Sequence, residues 1–276
     1  MKIAIVNDIH AGKCLEHEGQ IRASSHLVED LLNDFLHQII LQQSPDAVIN
    51  LGDLIRSEER ELDIKRYRGS ISNFEQIKSP VIHLLGNHEL KKMRIEDVEQ
   101  TWKECGFDQK SYGRREIGDF TLIWLGLELD SKNPKIRRLP SAQLNWLREQ
   151  LKHSNRPTLI FTHCAIDDHN VSGNFFYEAT DDRNKTGLFL ENQAEIRRVI
   201  SASNCVVAVL QAHLHYFHAK KIDGISYITC PAMGDNICGP NVKNNMPEIY
   251  TVLSFENDQF AVKAFSGKYC FAGYED

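Results

Sequence analysis

Five short apolar runs, rich in β-branched residues, constrain the fold of this chain more than any other feature of its sequence. KIAIV, AVINL, VIHLL, TLIF and VVAVL occupy residues 2–6, 47–51, 81–85, 158–161 and 206–210. Continuous apolar runs of this length are typical of β-strands that are buried on both faces. The sequence therefore predicts an α/β protein whose central strands are covered on both sides.

Each run is followed at once by side chains that can bind a metal or move a proton. These stretches are Asn7-Asp8-Ile9-His10, Gly52-Asp53, Gly86-Asn87-His88-Glu89, Thr162-His163 and Gln211-Ala212-His213-Leu214-His215. In sheets with buried parallel strands, ligands bind in the crevice beyond the carboxyl ends of the strands. We therefore expect the five stretches to meet at one edge and to form a site there.

Helical periodicity separates the runs. Apolar residues recur at helical intervals within 20–43, 60–78, 140–153 and 189–202, which predicts four helices. After residue 215 the pattern predicts hairpin-like strands in GISYITCPA, EIYTVLSFE and QFAVKAFSG, with a turn at Asn257-Asp258. Two long polar stretches, 166–187 and 234–247, do not fit the regular pattern, and such loops are usually functional or disordered. With no internal repeat or linker, we predict a single domain over residues 1–276.

Composition excludes several classes of function. The net charge of −6 argues against non-specific nucleic-acid binding, which needs a basic surface. Seven scattered cysteines without a CxxC pair indicate neither a disulfide framework nor a zinc ribbon. The N-terminal apolar run is too short for a signal peptide, and no stretch is long enough to span a membrane. We expect a cytoplasmic protein with no membrane partner, and the sequence does not indicate its oligomeric state.

The polar groups at the strand ends form a donor set typical of a catalytic metal centre. The candidate ligands are Asp8, His10, Asp53, Asn87, His163, His213 and His215. Carboxylate and amide oxygens mixed with imidazoles suit Mn, Fe or Zn better than Ca²⁺ or a thiolate site. Seven ligands are too many for one metal with an open position. We therefore predict two divalent transition-metal ions, roughly 3.5–4 Å apart, with one carboxylate bridging them.

These motifs, in this order, resemble the sequence blocks of the calcineurin-like metallophosphoesterase family. The blocks D-x-H, GD, GNH[E/D], H and GH-x-H correspond here to Asp8-Ile9-His10, Gly52-Asp53, Gly86-Asn87-His88-Glu89, His163 and Ala212-His213-Leu214-His215. The resemblance covers roughly residues 1–230. It implies a four-layer α-β-β-α sandwich of two mixed sheets flanked by helices, with the metal site at the carboxyl ends of the strands.

The resemblance also implies a role for each motif residue. Asp8, His10 and His215 would hold one metal, Asn87, His163 and His213 would hold the other, and Asp53 would bridge them. His88 would be the catalytic residue, as proton donor or as stabiliser of a phosphate oxygen. Gly86 would let the chain turn sharply, and Glu89 would orient the site. Ala212 replaces the usual glycine, and we expect it to alter the backbone slightly rather than to abolish the site.

Departures from the patterns of two branches of the family bear on the substrate. The protein phosphatases continue GD as GD-x-x-D-R-G and follow GNHE with an arginine, whereas this chain has GDLIRSEE and GNHELKK. The purple acid phosphatases need a tyrosine shortly after GD, and residues 54–57 offer none. What remains resembles the cyclic-nucleotide phosphodiesterase and nucleotide pyrophosphatase branch of the family. This resemblance implies hydrolysis of phosphodiester or phosphoanhydride bonds in a small phosphorylated or nucleotide-like substrate. A phosphomonoesterase, a nuclease and a non-catalytic scaffold remain as alternatives.

No substrate-binding residue is assigned from the sequence. Arg56 is a candidate phosphate contact, and Arg137 and Arg138 either contact phosphate or, as the preferred interpretation, form a solvated charge run. Further side chains without an assigned role are Phe175, Phe176, Tyr177 and Asn236 in the polar stretches, and the histidines at 17, 26, 37, 83, 153, 169 and 218. The aromatic residues would either stack on a base or pin their loop to the core. The histidines are expected on solvated faces, although His169 could reach the site.

Overall fold

The computed structural model describes residues 1–17, 20–23, 25–39, 43–171, 187–234, 249–256 and 259–276. Its strands are β1 Lys2–Val6, β2 Leu15–His17, β3 Gln20–Ala23, β4 Ala47–Asn50, β5 Val81–His83, β6 Gly113–Ile117, β7 Phe120–Leu125, β8 Glu128–Leu129, β9 Arg137–Arg138, β10 Thr158–Thr162, β11 Val206–Gln211, β12 His218–Ile222, β13 Ile225–Thr229, β14 Ile249–Glu256, β15 Gln259–Ser266 and β16 Tyr269–Glu275. Its α-helices are α1 Val28–Gln38, α2 Arg60–Ser72, α3 Asn87–Lys92, α4 Ile95–Glu104, α5 Ser141–Lys152 and α6 Gln193–Ser201.

Twelve of these strands form two six-stranded mixed sheets. The first sheet has the order β16-β15-β14-β1-β4-β5, and the second has the order β12-β13-β11-β10-β7-β6. β1, β4 and β5 run parallel in the first sheet, and β7, β10, β11 and β13 run parallel in the second. Parallel neighbours end at the same edge of a sheet. The carboxyl ends of the five predicted strands are therefore collected at one edge of each sheet.

The two faces of each central strand are buried against different layers, because successive side chains of a strand point to opposite sides. Along β1, Ile3 and Ile5 join the core between the sheets, whereas Ala4 and Val6 pack with α1, α2 and α4. Strand β10 alternates in the same way between the core shared by the sheets and a core formed with α5 and α6. The layers run helix, sheet, sheet, helix, which confirms the predicted sandwich.

Helical periodicity located the helices better than it located their starts. Helices α2 and α5 lie within the predicted ranges 60–78 and 140–153. The prediction of a helix from residue 20 is wrong, because Gln20–Ala23 pairs antiparallel with β2 and α1 begins only at Val28. The helix predicted over 189–202 begins at Gln193. A pattern of apolar residues carries no information about the strand with which a segment pairs.

Some elements were missed or placed in the wrong pairing. Strand β7 and helix α4 were not predicted, and no polar motif follows β7 to draw attention to it. Strands β14 and β15 form the predicted antiparallel pair. Strand β13 instead lies in the second sheet, where it runs parallel to β11 and antiparallel to β12.

Several predictions fall outside the described residues. They concern the parts of the polar stretches at 172–186 and 235–247, with Phe175, Phe176, Tyr177 and Asn236, and the turn at Asn257-Asp258. In the part of the chain that the structure describes, no helix is both long enough and apolar enough to cross a bilayer.

Candidate metal centre

The seven predicted ligands lie together where five strands end. Asp8 and His10 follow β1, Asp53 follows β4, Asn87 begins α3 after β5, His163 follows β10, and His213 and His215 follow β11. Donor atoms lie within 4.8 Å of one another in Asp8, His10 and His215, and also in Asp8, Asp53 and His163. His213 lies equally close to His163, and Asn87 Oδ1 is 3.3 Å from His163 Nε2. Pairing of parallel strands thus joins residues that are far apart in sequence.

The backbone at these strand ends has an uncommon conformation. Five of the seven residues have a left-handed φ, namely Asp8 at 50°, His10 at 53°, Asp53 at 55°, His213 at 70° and His215 at 64°. Such a conformation costs a residue other than glycine on the order of 1 kcal/mol or more, and it is concentrated at functional sites. Backbone hydrogen bonds stabilise it, since Asp8 N donates to Gly52 O and His10 N donates to Asp53 O, both at 3.0 Å.

Asp8, His10 and His215 form a first group of donors. His215 Nε2 is 3.2 Å from His10 Nε2 and 3.2 Å from Asp8 Oδ1, and His10 Nε2 is 3.7 Å from Asp8 Oδ1. Asp8 Oδ1 is buried and has no hydrogen-bond partner among the described residues, whereas Oδ2 accepts from the Asn7 side chain at 2.6 Å. Donors with these separations fit around one ion that lies about 2.1 Å from each.

Asn87, His163 and His213 form a second group of donors, and backbone carbonyls orient its two histidines. His163 Nδ1 donates to Leu51 O at 2.9 Å, which leaves Nε2 to face Asn87 Oδ1. His213 Nε2 donates to Gly187 O at 2.8 Å, and its Nδ1 is buried without a hydrogen-bond partner in the described structure. A carbonyl that accepts from one ring nitrogen fixes the tautomer and frees the other nitrogen for a metal. These residues therefore fit a second divalent ion.

Asp53 lies between the two groups, where a bridging ligand is needed. Its Oδ2 is 3.4 Å from His163 Nε2 and 3.9 Å from His10 Nε2. Burial alone would raise the pKa of the Asp53 carboxyl, but His163 and His88 hold it well below its ordinary value. Burial opposes protonation of His163 as well, yet Asp53 raises the pKa of His163 to about 9. A metal ion at His163 Nε2 would therefore replace a proton.

His88 lies beside both groups, and its backbone is held on two sides. Its N–H donates to Asp53 Oδ1 at 2.7 Å, and its carbonyl accepts from Ser57 Oγ. The ring meets the His10 ring edge-to-face with centroids 4.7 Å apart, and Lys91 Nζ is 3.0 Å from His88 Nε2. Burial lowers the pKa of His88 to about 4. The imidazole is therefore a neutral group next to the donors.

Glu89 and two glycines hold the Asp53 turn against α3. The buried Glu89 carboxylate accepts from the backbone N–H of Gly86 at 2.8 Å, Asp53 at 3.0 Å and Leu54 at 2.7 Å, as its predicted orienting role requires. Gly86 has an extended φ of −93°, and a Cβ there would lie 2.1 Å from Asp53 Oδ1. The prediction that Gly86 provides a sharp turn is therefore wrong, because the residue is needed for close approach. Gly52, at φ +99°, supplies the turn.

Arg137 lies against the centre, although its sequence context favoured a solvated charge run. Its side chain is buried, its Nη1 donates to Gly187 O, and Nη1 is 3.2 Å from His213 Nε2. The solvated interpretation is wrong for Arg137, while Arg138 forms partly exposed ion pairs. No motif surrounds Arg137 in the sequence, so nothing there indicated its contact with a residue 76 positions away.

Histidines without a motif divide between the surface and the interior. His26, His37 and His153 are exposed, as predicted. His83 is fully buried among aromatic rings, with its centroid 4.6 Å from that of Phe107, and burial lowers its pKa to about 3. The prediction of a solvated His83 is wrong, because its strand is covered on both faces.

A second group of polar side chains, all buried except the half-buried His218, lies near the centre, and we call it the Asp167 cluster. It consists of Asp167, His169, Tyr216 and His218. His169 Nδ1 is 3.0 and 2.9 Å from the two carboxylate oxygens of Asp167, and its Nε2 contacts the Tyr216 hydroxyl. His218 Nδ1 is 3.6 Å from Asp167 Oδ2. In the described structure His169 therefore belongs to this cluster and to neither group of donors.

Comparison with known proteins agrees with this geometry. The profile of the family of calcineurin-like phosphoesterases matches residues 1–217. A dimetal phosphatase from Danio rerio has a similar fold, with a TM-score of 0.74 and 15% identity over 99% of this chain and 98% of that chain. The protein TT1561 of Thermus thermophilus has a TM-score of 0.62 and 10% identity over 97% of this chain and 99% of that chain. No curated protein sequence matches significantly. Because the profile matches most of the chain, including all seven residues that converge here, this protein belongs to the calcineurin-like phosphoesterase family.

Proposed function

We propose that this protein is a dinuclear-metal-dependent enzyme that hydrolyses phosphodiester or phosphoanhydride bonds of a small nucleotide-like substrate. Membership of the family implies a metal-dependent phosphoric ester hydrolase. The proposal is carried by the convergence of six donor residues around a seventh, Asp53. Two of their donor atoms, Asp8 Oδ1 and His213 Nδ1, are buried without hydrogen-bond partners among the described residues. Oxygen and imidazole donors in this mixture suit Mn, Fe or Zn.

The chemistry divides between the metals and the chain. Two bound metal ions supply Lewis acidity, which activates a water molecule and neutralises charge on the phosphate oxygens. Asp53 links the two donor groups. Glu89 fixes the backbone at Asp53 by accepting hydrogen bonds from the N–H groups of Asp53 and Leu54. His88 then donates a hydrogen bond or a proton to an oxygen of the reacting phosphate group. A positioned group of this kind contributes roughly 10²–10⁴-fold to the rate.

The cations near the centre bear on which bond is cleaved. A phosphomonoester dianion carries more charge than a diester, so a monoesterase needs additional cations directed at its substrate. Arg56 donates to a serine hydroxyl at 2.9 Å, Arg137 donates to a backbone carbonyl, and Lys91 contacts the His88 ring. Each of these cations directs at least one donor to a protein group. This favours a substrate with less charge at the reacting phosphorus.

The test compares kcat/KM for matched pairs of substrates with Mn²⁺-loaded protein. One pair is bis-p-nitrophenyl phosphate and p-nitrophenyl phosphate, and the other is a cyclic nucleotide and its 5′-monophosphate. A nucleoside diphosphate-linked compound represents the anhydrides. We expect the diester or the anhydride to be hydrolysed more efficiently than the matching monoester.

Asp53→Asn provides the control, since loss of the bridging carboxylate should abolish every activity that belongs to the centre. A clear preference for the monoester in both pairs would leave a plain phosphatase. Cleavage of single-stranded DNA in preference to all small substrates would indicate a nuclease. Metal-loaded protein without activity on any of these substrates would overturn the enzymatic proposal.

A further inference from the structure

Asn7 contacts a predicted metal ligand although it lies outside the motif that contains that ligand, since D-x-H begins only at Asp8. Asn7 is the first residue after β1, and only 1% of its surface is exposed. Its backbone carbonyl accepts from Met233 N at 3.0 Å. The residue is therefore fixed in the interior, one position before Asp8.

The side-chain amide of Asn7 has only one orientation that fits its neighbours. Its Nδ2 lies 2.6 Å from Asp8 Oδ2 and 3.3 Å from Cys230 O. Both of these oxygens are acceptors, and an amide nitrogen carries two hydrogens whereas the amide oxygen carries none. The nitrogen must therefore face Asp8 and Cys230, and these two contacts use both of its hydrogens.

The two carboxylate oxygens of Asp8 consequently have different surroundings. Oδ2 accepts from Asn7 Nδ2 and also from the backbone N–H of His213, at 3.1 Å. Oδ1 is buried, has no hydrogen-bond partner among the described residues, and lies 3.2 Å from His215 Nε2. One oxygen thus lies with the first group of donors, while the other is occupied by hydrogen bonds.

A structural role for Asn7 would explain only part of this arrangement. Asn7 follows β1 of the first sheet, whereas Cys230 follows β13 of the second, so the hydrogen bond to Cys230 O joins the ends of the two sheets. The hydrogen bond to Asp8 is shorter and has an ionised acceptor, and such charge-assisted bonds are stronger than neutral ones. Joining the sheets does not require this second bond, which acts on the carboxylate of a candidate ligand.

We propose that Asn7 is a positioning residue, which makes Asp8 bind the first metal ion through Oδ1 alone. The inference rests on the metal centre of the proposed function, but it does not depend on the substrate. While Asn7 is present, rotation of the carboxylate breaks both hydrogen bonds of Oδ2. Without Asn7 only the His213 N–H holds Oδ2, so the carboxylate is freer to rotate and to offer both oxygens to the ion.

The first test measures Co²⁺ binding by visible absorption in the wild type and in Asn7→Leu, which has a side chain of similar size without a hydrogen-bonding group. We expect the variant to bind Co²⁺ about 10–100-fold more weakly, as is typical when a partner of a ligating carboxylate is lost. Its absorption spectrum should also change, because an additional oxygen ligand alters the coordination geometry of the ion.

Asn192→Leu is the matched control. The side-chain amide of Asn192 accepts from Leu139 N at 3.0 Å and donates to Leu139 O at 2.9 Å, and no contact with a candidate ligand is found for it among the described residues. This variant should bind Co²⁺ with the affinity and the spectrum of the wild type. Weaker binding by Asn7→Leu with an unchanged spectrum would indicate a structural role only and would overturn the proposal, as would wild-type binding.

A double variant separates positioning from general destabilisation. Asn7→Leu/Asp8→Ala should bind Co²⁺ no more weakly than Asp8→Ala alone, because residues that act through one another are not additive. A further loss in the double variant would show that Asn7 acts independently of Asp8 and would sink the inference. Asn7→Ala, with the same expected outcomes, replaces Asn7→Leu if thermal unfolding shows that leucine prevents folding. A wild-type protein that binds no Co²⁺ would instead refute the metal centre itself, and the inference with it.

Discussion

The metal centre and the Asp167 cluster both combine aspartate with histidine and lie at neighbouring strand ends, yet their imidazoles are arranged differently. In the centre, the His10 and His215 rings have centroids 5.1 Å apart and are inclined by 45°, and the His163 and His213 rings are 5.2 Å apart and inclined by 60°. In the Asp167 cluster, the His169 and His218 rings are stacked at 3.7 Å with an angle of 14°.

The difference shows that residue identity alone does not make a metal site. A metal lies in the plane of each imidazole that binds it, so inclined rings can direct two nitrogens to one point, whereas closely stacked parallel rings cannot. The backbones differ too, since five ligands of the centre have a left-handed φ and none of the four residues of the Asp167 cluster does in the described structure. The centre is therefore arranged to hold ions, whereas the stacked rings of the Asp167 cluster are not, although the donor atoms of Asp167, His169 and His218 also lie within 4.8 Å of one another.

The largest expected effect comes from removing the carboxylate that joins the two donor groups. Asp53→Ala should lower Mn²⁺ occupancy at both sites and reduce turnover by more than about 10³-fold, because the metals supply several kcal/mol of transition-state stabilisation and each 1.4 kcal/mol is tenfold. Elemental analysis of reconstituted protein should approach two equivalents of Mn²⁺ in the wild type and fall well below that in the variant.

Asp167→Ala is the matched control for this experiment, since it removes a buried carboxylate that also contacts histidine. We expect it to keep both metal equivalents. A wild-type protein that saturates at one equivalent would contradict the dinuclear centre. A third equivalent that disappears in Asp167→Ala would show that the stacked cluster binds metal after all.

Disruption of the Asp167 cluster should change the free energy of unfolding and leave the metal content unchanged. Asp167→Asn should lower the free energy of unfolding at pH 7 by about 2 kcal/mol or more, because buried hydrogen bonds to a charged group are lost. Burial opposes ionisation, but the hydrogen bonds from His169 and the nearby His218 ring hold the pKa of Asp167 well below its ordinary value. Its contribution is therefore present above about pH 4 and is lost as the pH falls further.

Urea unfolding of the wild type and of Asp167→Asn at several pH values measures this contribution. The stability difference between them should shrink below about pH 4. Asp168→Asn changes the adjacent, exposed carboxylate, and asparagine tolerates the left-handed φ of 49° found there. Equal destabilisation by the two variants would mean that the cluster contributes nothing of its own.

Glu89 tests whether hydrogen bonds to the backbone next to the ligands strengthen metal binding. Glu89→Gln removes one of two carboxylate oxygens that accept three backbone N–H groups, and such a loss typically lowers metal affinity by about 10–100-fold. Titration with Mn²⁺ measures the change. Glu99→Gln is the control, because Glu99 also accepts from a backbone N–H, that of Ser111 at 2.8 Å, but lies in α4 away from the donors. Comparable loss of affinity in both variants would remove the assigned role.

His83 provides a third environment, a buried imidazole that belongs to neither cluster. Burial lowers its pKa to about 3, whereas the unfolded chain takes up the proton near pH 6.5. The native state therefore binds fewer protons, and stability should fall by up to about 1.4 kcal/mol per pH unit as the pH decreases from about 6.5 toward 3. Unfolding at pH 7 and pH 5 should show a weaker pH dependence in His83→Gln than in the wild type. The same dependence in both proteins would contradict this.

Several features could be predicted because they are encoded locally. A continuous apolar run specifies a strand buried on both faces, as in β1, and the polar residues after it must then emerge at the strand end. The 3.6-residue period located α2 and α5, since their apolar stripes face a sheet. The donor chemistry of the strand ends indicated transition metals before any geometry was known. The two metals, their identity and the extent of the domain stay predictions.

Other features were decided only by packing between distant segments. Arg137 lies against His213 because strand pairing brings their loops together, and nothing within its own charged stretch distinguishes it from Arg138. His83 is buried because β5 is covered on both faces, although a histidine alone suggests the surface. Gly86 is required by the proximity of Asp53, and residues 20–23 form a strand because β2 lies beside them. Local patterns record which face a side chain takes, whereas the neighbour that it meets depends on contacts between segments that are far apart in sequence.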